Sequence, residues 1–173
     1  MTMHHALAKV PEDSGLSPEG TAFMASYLEG LTLVERLHRL LLDVIKDEFE
    51  RLGMLEINPV QGLLLFNVGD NEVTAGELKT RGYYQGSNVS YNLKKLVENG
   101  YMHHERSEVD RRSVRVRLTE KGRGIRMIVG KLFATHAEGL VDRGVMDHAK
   151  MDDITVALRR MERYWTEQIR YIY

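Results

Sequence analysis

The chain has 173 residues, of which 43% are hydrophobic and 28% are charged, and its formal net charge is −1. This composition allows a buried core and differs from that of a disordered protein. The sequence contains no cysteine, which excludes disulfides, thiolate nucleophiles, thiolate zinc sites and cysteine-based redox sensing. Residues 1–17 lack the apolar core of a signal peptide, and no run approaches the roughly 20 apolar residues of a membrane span. We therefore expect a cytoplasmic, helix-rich protein that does not bind membranes.

The small net charge hides an uneven distribution along the chain. Residues 1–72 contain 5 Lys/Arg and 12 Asp/Glu, whereas residues 73–126 contain 12 Lys/Arg and 6 Asp/Glu. Residues 127–173 contain 7 of each and are neutral. A polyanion binds where local cations release its condensed counterions, so the middle block is the candidate nucleic-acid surface. A solvated protein face would show the same excess, and charge alone does not separate the two interpretations.

The first third of the chain predicts one long helix over residues 18–52. Ser17 and Pro18 form a typical helix start, and Gly53 is a typical stop. Between them, apolar residues recur at helical spacing and form a stripe that is too long for a lone surface helix. Residues 1–17 show no periodicity, and we expect them to form a flexible arm.

Two short helices are predicted next, over residues 59–66 and 74–81. The first opens on Asn58, which precedes a proline. In the second, Thr74 and Glu77 have the spacing of a capping box, and apolar residues stand on either side of it at the positions of a hydrophobic staple. A glycine directly after the second helix supplies its stop.

A third helix is predicted from a cap at Ser87 or one of its neighbours to Asn99, with Gly100 as its stop. Its apolar residues fall at i, i+4, i+7 and i+8 and form one face, comprising Val89, Leu93, Leu96 and Val97. We expect the opposite face to be polar and exposed, comprising Asn88, Tyr91, Asn92 and Lys95, with Ser90 and Lys94 on its flanks.

The pattern then changes to period two, which predicts a β-hairpin. Residues 113–118 alternate apolar with polar residues, so Arg115 and Arg117 should point away from the core. Residues 101–106 form the partner strand, and residues 107–112 form a charged tip. After the hairpin, a helix capped by the next threonine and a final helix complete the chain.

The helix over residues 74–81, the helix that ends at Asn99 and the two-stranded hairpin follow one another along the chain. This order is typical of a winged helix-turn-helix. In such a module, asparagine pairs with adenine edges, lysine with guanine or phosphate, and tyrosine contacts thymine methyl groups. Arginines at the hairpin tip suit a narrow minor groove, and serines and lysines on the flanks suit phosphates. The candidate DNA-binding residues are Ser87, Asn88, Ser90, Tyr91, Asn92, Lys94, Lys95, Arg111, Arg112 and Arg115.

Residues 93–122 resemble the corresponding part of MarR-type regulators. Residues 110–122, Asp-Arg-Arg-Ser-Val-Arg-Val-Arg-Leu-Thr-Glu-Lys-Gly, are similar to the wing of that family, in which an Asp-x-Arg pair precedes a strand that ends in Leu-Thr. Residues 93–101 are similar to the end of the family's recognition helix. The resemblance implies that Asp110 orients Arg112. Residues 82–92 resemble, more narrowly, an alphaproteobacterial subgroup that includes regulators of L,D-transpeptidase genes.

The long apolar stripes at both ends of the chain indicate a homodimer, because a winged module of this size could not cover them. The resemblance implies the same, and it further implies a pseudo-palindromic operator and a small aromatic or phenolic effector bound between the dimerisation helices and the DNA-binding lobe. The predicted organisation is a flexible arm (1–17), a dimerisation helix (18–57), a winged helix-turn-helix lobe (58–122) and further dimerisation helices (123–173).

Three other functions fit the sequence less well than DNA binding. The adjacent His103 and His104 are candidates for a metal site. However, adjacent strand residues point to opposite faces, and no histidine pair has the i, i+4 spacing of a helical metal site. The chain has no Gly-rich phosphate loop and no recognisable catalytic constellation, so we expect neither a cofactor nor enzymatic activity. A winged helix can also bind proteins, but the outward Arg115 and Arg117 are unlike the core of a protein interface.

Overall fold

The computed structural model describes residues 15–70, 73–74, 77–78, 86–106 and 114–172. Its elements in chain order are α1 (Pro18–Arg51), α2 (Pro59–Val68), β1 (Val73–Thr74), α3 (Gly86–Glu98), β2 (Met102–Arg106), β3 (Val114–Leu118), α4 (Glu120–Asp142) and α5 (His148–Ile172). The chain divides into two compact units, Met1–Met127 and Ile128–Tyr173, with the division inside α4. Apart from residues 15–17, the predicted flexible arm lies outside the described residues. The described helices include none with the length and apolar character needed to cross a membrane.

Helix α1 begins and ends within one residue of the prediction. The Ser17 hydroxyl accepts a hydrogen bond from the Gly20 N–H at 3.1 Å, which satisfies a backbone donor of the first turn. At the other end, Gly53 has a φ of 71°, a conformation that glycine adopts without strain. There the Met54 N–H donates to the Phe49 carbonyl at 2.8 Å and closes the last turn.

Helix α2 packs closely against α1 and is two residues longer at its end than predicted. Asn58 and Gln61 form a reciprocal capping box: the Gln61 N–H donates to Asn58 Oδ1 at 2.8 Å, and the Asn58 N–H donates to Gln61 Oε1 at 3.2 Å. A Cβ added at Gly62 would lie 2.5 Å from Cζ of the buried Phe49 ring. Glycine therefore allows the two helices to approach each other at this point.

The sheet has three antiparallel strands in the order β1-β3-β2, one strand more than the predicted hairpin. Val116 of β3 pairs with His104 of β2 on one side and with Val73 of β1 on the other. The pattern predicted Val73 as half of a hydrophobic staple, and its side chain is buried. The residue also belongs to a strand, so the wing is tied to the chain segment that precedes the second short helix.

The predicted capping box after β1 is confirmed. The Thr74 N–H donates to Glu77 Oε2 at 2.6 Å, and the Glu77 N–H donates to the Thr74 hydroxyl at 3.1 Å. Glu77 and Leu78 are helical, and Leu78 is 1% exposed. The rest of this predicted helix, including its glycine stop, lies outside the described residues.

The core of the first unit joins the C-terminal half of α1 with α2, α3 and the inner face of the sheet. Its apolar side chains include Ile45, Phe49, Leu64, Leu65, Leu78, Val89, Leu96, Val116, Leu118 and Ile125. The predicted helical periodicity of α3 places Val89, Leu93 and Leu96 in this core, and the alternating pattern of β3 places Val116 and Leu118 there. It thus fixes which face of α3 and which face of β3 are turned to solvent.

Candidate DNA-binding interface

Helix α3 has one buried face and one exposed face. Val89, Leu93 and Leu96 are 1%, 6% and 1% exposed and pack into the core, as predicted. On the other side, Tyr91 is 61% exposed, and the Lys94 side chain is 75% exposed. A large aromatic ring and a cation are thereby held outward by a helix that cannot rotate without exposing its apolar residues.

Asn92 is buried, so its predicted place on the exposed face is wrong. Its side chain is 8% exposed. Asn92 lies three residues after Val89 and four before Leu96, and side chains at these spacings share one face of a helix. The exposed face is therefore centred on Tyr91 and Lys94, and Asn92 is removed from the candidates for base recognition.

The beginning of α3 also differs from the prediction. The helix begins at Gly86, so Ser87 lies in the first turn of the helix rather than before it. The side chains of Ser87 and Asn88 lie outside the described residues. The same holds for Asp110, Arg111 and Arg112, so their predicted roles at the wing tip stay predictions.

A carboxylate lies between the two lysines of α3. Lys95 Nζ donates to Glu98 Oε2 at 2.9 Å, and Lys94 Nζ lies 3.8 Å from Glu98 Oε1. The hydrogen bond from Lys95 lowers the pKa of Glu98, and the same hydrogen bond raises the pKa of Lys95. Both groups are therefore charged at neutral pH, and a DNA phosphate that approaches these lysines competes with Glu98.

The outer face of β3 carries arginines, as the alternating pattern predicted. Arg115 and Arg117 are exposed, whereas Val116 between them is 2% exposed. Arg117 Nη2 donates to Glu105 Oε1 on β2 at 3.0 Å, a cross-strand pair of opposite charge. The sheet thus adds cationic groups to the lobe that carries the exposed face of α3.

A groove of about 450 Å³ separates α3 from the sheet. Its wall combines apolar with polar side chains, and its polar rim includes members of the exposed face of α3. It is lined by Ser90, Leu93, Lys94, Val97, Glu98, His104 and Val116. A ligand in this groove would contact residues that are candidates for DNA binding.

The C-terminal end of α3 is held by a side-chain network that the sequence did not reveal. The Tyr101 hydroxyl donates to Glu56 Oε1 at 2.7 Å, and Lys121 Nζ lies 3.2 Å from the same oxygen. Lys121 Nζ also lies 4.1 Å from the centroid of the Tyr101 ring. The hydrogen bond from Tyr101, followed by that from Lys121, lowers the pKa of Glu56.

The junction between the wing and α4 explains the Leu-Thr-x-x-Gly part of the sequence pattern. The Thr119 hydroxyl accepts from the Gly122 N–H at 3.1 Å, which caps α4 as predicted, and donates to the Gly100 carbonyl at 2.7 Å. A Cβ on Gly122 would overlap the backbone carbonyl oxygen of Tyr101. The threonine and the glycine therefore join the start of α4 to the end of α3.

The histidines of β2 do not form part of a recognisable metal centre. His103 and His104 are both exposed and pair with different residues of β3. Within the described ranges, no group of three or more His, Asp or Glu side chains could hold a metal ion.

A helix that turns an aromatic and a basic side chain outward, packed on a small sheet whose outer face carries arginines, defines a winged helix-turn-helix that binds DNA. Residues 57–122 match the family model described as a winged helix DNA-binding domain. This match covers the predicted lobe and adds one residue before it.

Comparisons over longer stretches extend this assignment beyond the lobe. The chain is 34% identical over 154 residues to the exopolysaccharide II synthesis transcriptional activator ExpG of Rhizobium meliloti (strain 1021). The aligned residues cover 88% of this chain and 78% of the relative. A MarR transcriptional regulator from Methanosarcina mazei Go1 superposes with a TM-score of 0.63 at 25% identity, over 79% of this chain and 95% of that one. Streptococcus pneumoniae FabT in complex with DNA has the same fold, with a TM-score of 0.60 at 21% identity over 80% and 96% of the two chains.

The chain belongs to the MarR-type winged helix-turn-helix transcription regulators. It is a DNA-binding regulator rather than an enzyme. The narrower resemblance to regulators of L,D-transpeptidase genes stays a prediction.

Proposed function

We propose that the protein recognises a pseudo-palindromic operator as a homodimer, with α3 of each protomer in the major groove. The observation that carries this proposal is the exposed face of α3, on which Tyr91 and Lys94 point away from the core within the basic block of the chain. In this arrangement Tyr91 contacts a thymine methyl group or a sugar, and Lys94 contacts guanine or a phosphate.

The remaining candidates divide by chemistry. Ser90 and Arg115 suit phosphate contacts, which set the register of the protein on DNA without reading sequence. Lys95 reaches DNA by exchanging Glu98 for a phosphate. From the sequence pattern, we propose that Asn88 pairs with an adenine, that Ser87 binds a phosphate, and that Asp110 orients Arg112 beside Arg111 toward the minor groove.

Homodimerisation is proposed from the exposed apolar faces of the long helices. A soluble monomer rarely exposes such continuous apolar surface. On α5 these residues lie three, four or seven positions apart, which places them on one face of the helix, and they are Met151, Ile154, Leu158, Trp165 and Ile169. On α1 they are Phe23, Leu33, Val34, Leu37 and Leu40. A second copy of this chain would cover them, and its two-fold axis would place the recognition helices about 10 base pairs apart.

Two further properties follow from the family. We propose that a small aromatic or phenolic effector shifts the spacing of the two α3 helices and thereby changes operator affinity. We also propose that DNA binding raises transcription of the target genes, because the rhizobial relative is a transcriptional activator. The protein would act in the cytoplasm, as expected of a regulator that binds operator DNA.

The test begins with operator selection from random duplexes, followed by titration of the selected duplex with fluorescence anisotropy. We expect two symmetric half-sites and an affinity that falls linearly with the logarithm of salt concentration. Tyr91→Ala and Lys94→Ala should each weaken binding about 5- to 100-fold. A single asymmetric half-site bound by one protomer would contradict the dimer, and salt-independent binding would favour the protein-interaction alternative.

A reporter gene that carries the selected operator tests the direction of regulation, and salicylate serves as the probe for an aromatic effector. We expect reporter expression to rise with the protein. We also expect salicylate to raise the unfolding temperature and to change the affinity of the protein for its operator. Reduced expression would indicate a repressor, and an unchanged unfolding temperature and affinity would remove salicylate as a representative of the effector class.

A further inference from the structure

Three separate segments of the first unit meet at the Tyr101 side chain. Tyr101 lies three residues after the end of α3 and is 1% exposed. Glu56 comes from the connection between α1 and α2, and its Oε1 accepts the Tyr101 hydroxyl at 2.7 Å. Lys121 comes from the first turn of α4 and lies 3.2 Å from the same carboxylate oxygen. Because the ring is enclosed by the core, its hydroxyl reaches the surface at one fixed place.

Tyr101 is also part of the backbone structure that ends α3. Its N–H donates to the Leu96 carbonyl at 2.8 Å, and the Gly100 N–H donates to the Val97 carbonyl at 3.0 Å, the two hydrogen bonds of a Schellman motif. Lys121 Nζ adds a hydrogen bond to the Asn99 carbonyl at 3.3 Å. A displacement of the Tyr101 ring would therefore tilt the last turn of α3.

Because the two charged partners of Tyr101 are exposed, their ion pair should contribute little to the stability of the lobe. The side chains of Glu56 and Lys121 are 64% and 49% exposed, and solvent-exposed ion pairs contribute little to the free energy of unfolding. Recognition of bases is more sensitive, because hydrogen bonds weaken steeply when their distances and angles change. The network therefore acts mainly on the orientation of α3 rather than on whether the lobe folds.

We propose that Glu56 is a positioning residue for DNA recognition, which acts on α3 through the Tyr101 hydroxyl and does not touch DNA. This inference rests on the proposed role of α3 as the helix that reads the operator. It assigns a function to the connection between α1 and α2, which the sequence-based division placed at the end of the dimerisation helix (18–57).

Whether Glu56→Gln weakens or tightens DNA binding distinguishes a positioning role of Glu56 from a purely electrostatic one. Glu56→Gln removes a negative charge, so electrostatics alone predicts equal or tighter binding to DNA. Positioning predicts weaker binding, by roughly three- to tenfold, with an unchanged slope of affinity against salt concentration because no phosphate contact is lost. Tyr101→Phe keeps the ring and removes only the hydroxyl, and it should weaken binding by a similar factor.

The experiment titrates the selected operator with the full-length wild-type protein, E56Q, Y101F and the double variant, with circular dichroism to confirm folding. The double variant should bind no more weakly than Y101F, because both substitutions act on one hydrogen bond: glutamine keeps a neutral acceptor and loses the charge, and phenylalanine removes the donor. Glu50→Gln is the matched control, since Glu50 is also exposed and also pairs with a lysine, Lys46, at 3.5 Å. It should bind at least as tightly as the wild type.

Equal or tighter binding by E56Q would overturn the proposal, and so would effects of E56Q and Y101F that multiply in the double variant. Lys94→Ala in the same series tests the underlying function separately. If Lys94→Ala and Tyr91→Ala bind normally, α3 does not read the operator. If these two variants lose affinity while E56Q does not, the reading role of α3 stands and the positioning role of Glu56 fails.

Discussion

At the scale of single residues, Glu98 is the acidic group that lies against both lysines on the proposed DNA-binding face of α3. Its carboxylate is hydrogen-bonded to Lys95 and lies within 3.8 Å of Lys94. If α3 contacts DNA as proposed, phosphates compete with this carboxylate for the lysines and are repelled by it. Glu98 would then restrain the electrostatic part of DNA affinity, which does not depend on sequence.

Glu98→Gln should tighten binding to a duplex without an operator sequence by about two- to tenfold, because the lysines become available and the repulsion is removed. Anisotropy titrations at low salt measure the change. The control is Asp153→Asn, an exposed acid on α5 outside the lobe, which should leave the affinity unchanged. Weaker binding by the Glu98 variant would show that Glu98 supports the interface instead of opposing it.

The pH dependence of stability isolates the contribution of Glu56. The pKa of Glu56 lies below its ordinary value of 4.5, mainly because of the hydrogen bond from Tyr101. Stabilisation by this carboxylate is therefore complete above the ordinary value and is lost as the pH falls through the lowered pKa. Glu56→Gln should lower the unfolding temperature at neutral pH, and the difference from wild type should shrink as the pH falls through the lowered pKa of Glu56. A difference that is independent of pH would contradict this account.

At the scale of elements, the join between α3 and α4 depends on the absence of a side chain at Gly122. A methyl group there would overlap the Tyr101 carbonyl oxygen, and backbone atoms cannot move aside as a flexible side chain can. The hydrogen bonds of Thr119 require the same close approach.

Gly122→Ala should lower the free energy of unfolding by about 1–3 kcal/mol, measured by urea denaturation. Gly124→Ala is the matched control, because it lies two residues further along α4 and an added Cβ would have no neighbour within 4 Å. There the better helix propensity of alanine should raise stability by up to about 1 kcal/mol. Similar effects at both positions would mean that the contact with Tyr101 is not what requires glycine.

The same elements explain what the sequence could and could not predict. The caps at Ser17, Thr74 and Thr119 were predictable because each depends on residues within three positions. Strand β1 has two residues, too few to show an alternating pattern. Asn92 was placed wrongly because it borders the apolar stripe, where the polarity of a residue and its helical phase disagree. The contact between Glu56 and Tyr101 joins residues 45 positions apart, and no local pattern marks such a pair.

At the scale of the whole molecule, the apolar stripe of α5 is the feature that most needs a partner. Leu158 lies in the middle of the stripe and is 44% exposed, with Trp165 two turns further along and 43% exposed. In the proposed homodimer, a second copy of this chain would bury such residues symmetrically and would also set the distance between the two recognition helices. Operator affinity should therefore depend on an intact α5, although α5 lies outside the DNA-binding lobe.

Leu158→Asp should convert the dimer into monomers of 19.9 kDa, because a carboxylate would lose its hydration in the interface. Sedimentation equilibrium at micromolar concentration measures the mass, and anisotropy measures the accompanying loss of operator binding. Val156→Asp is the matched control: Val156 is 47% exposed and lies on the opposite face of the helix, so the same chemical change should leave both the dimer and DNA binding intact. A monomeric wild type, or dissociation by the Val156 variant alone, would show that this stripe is not the dimer interface.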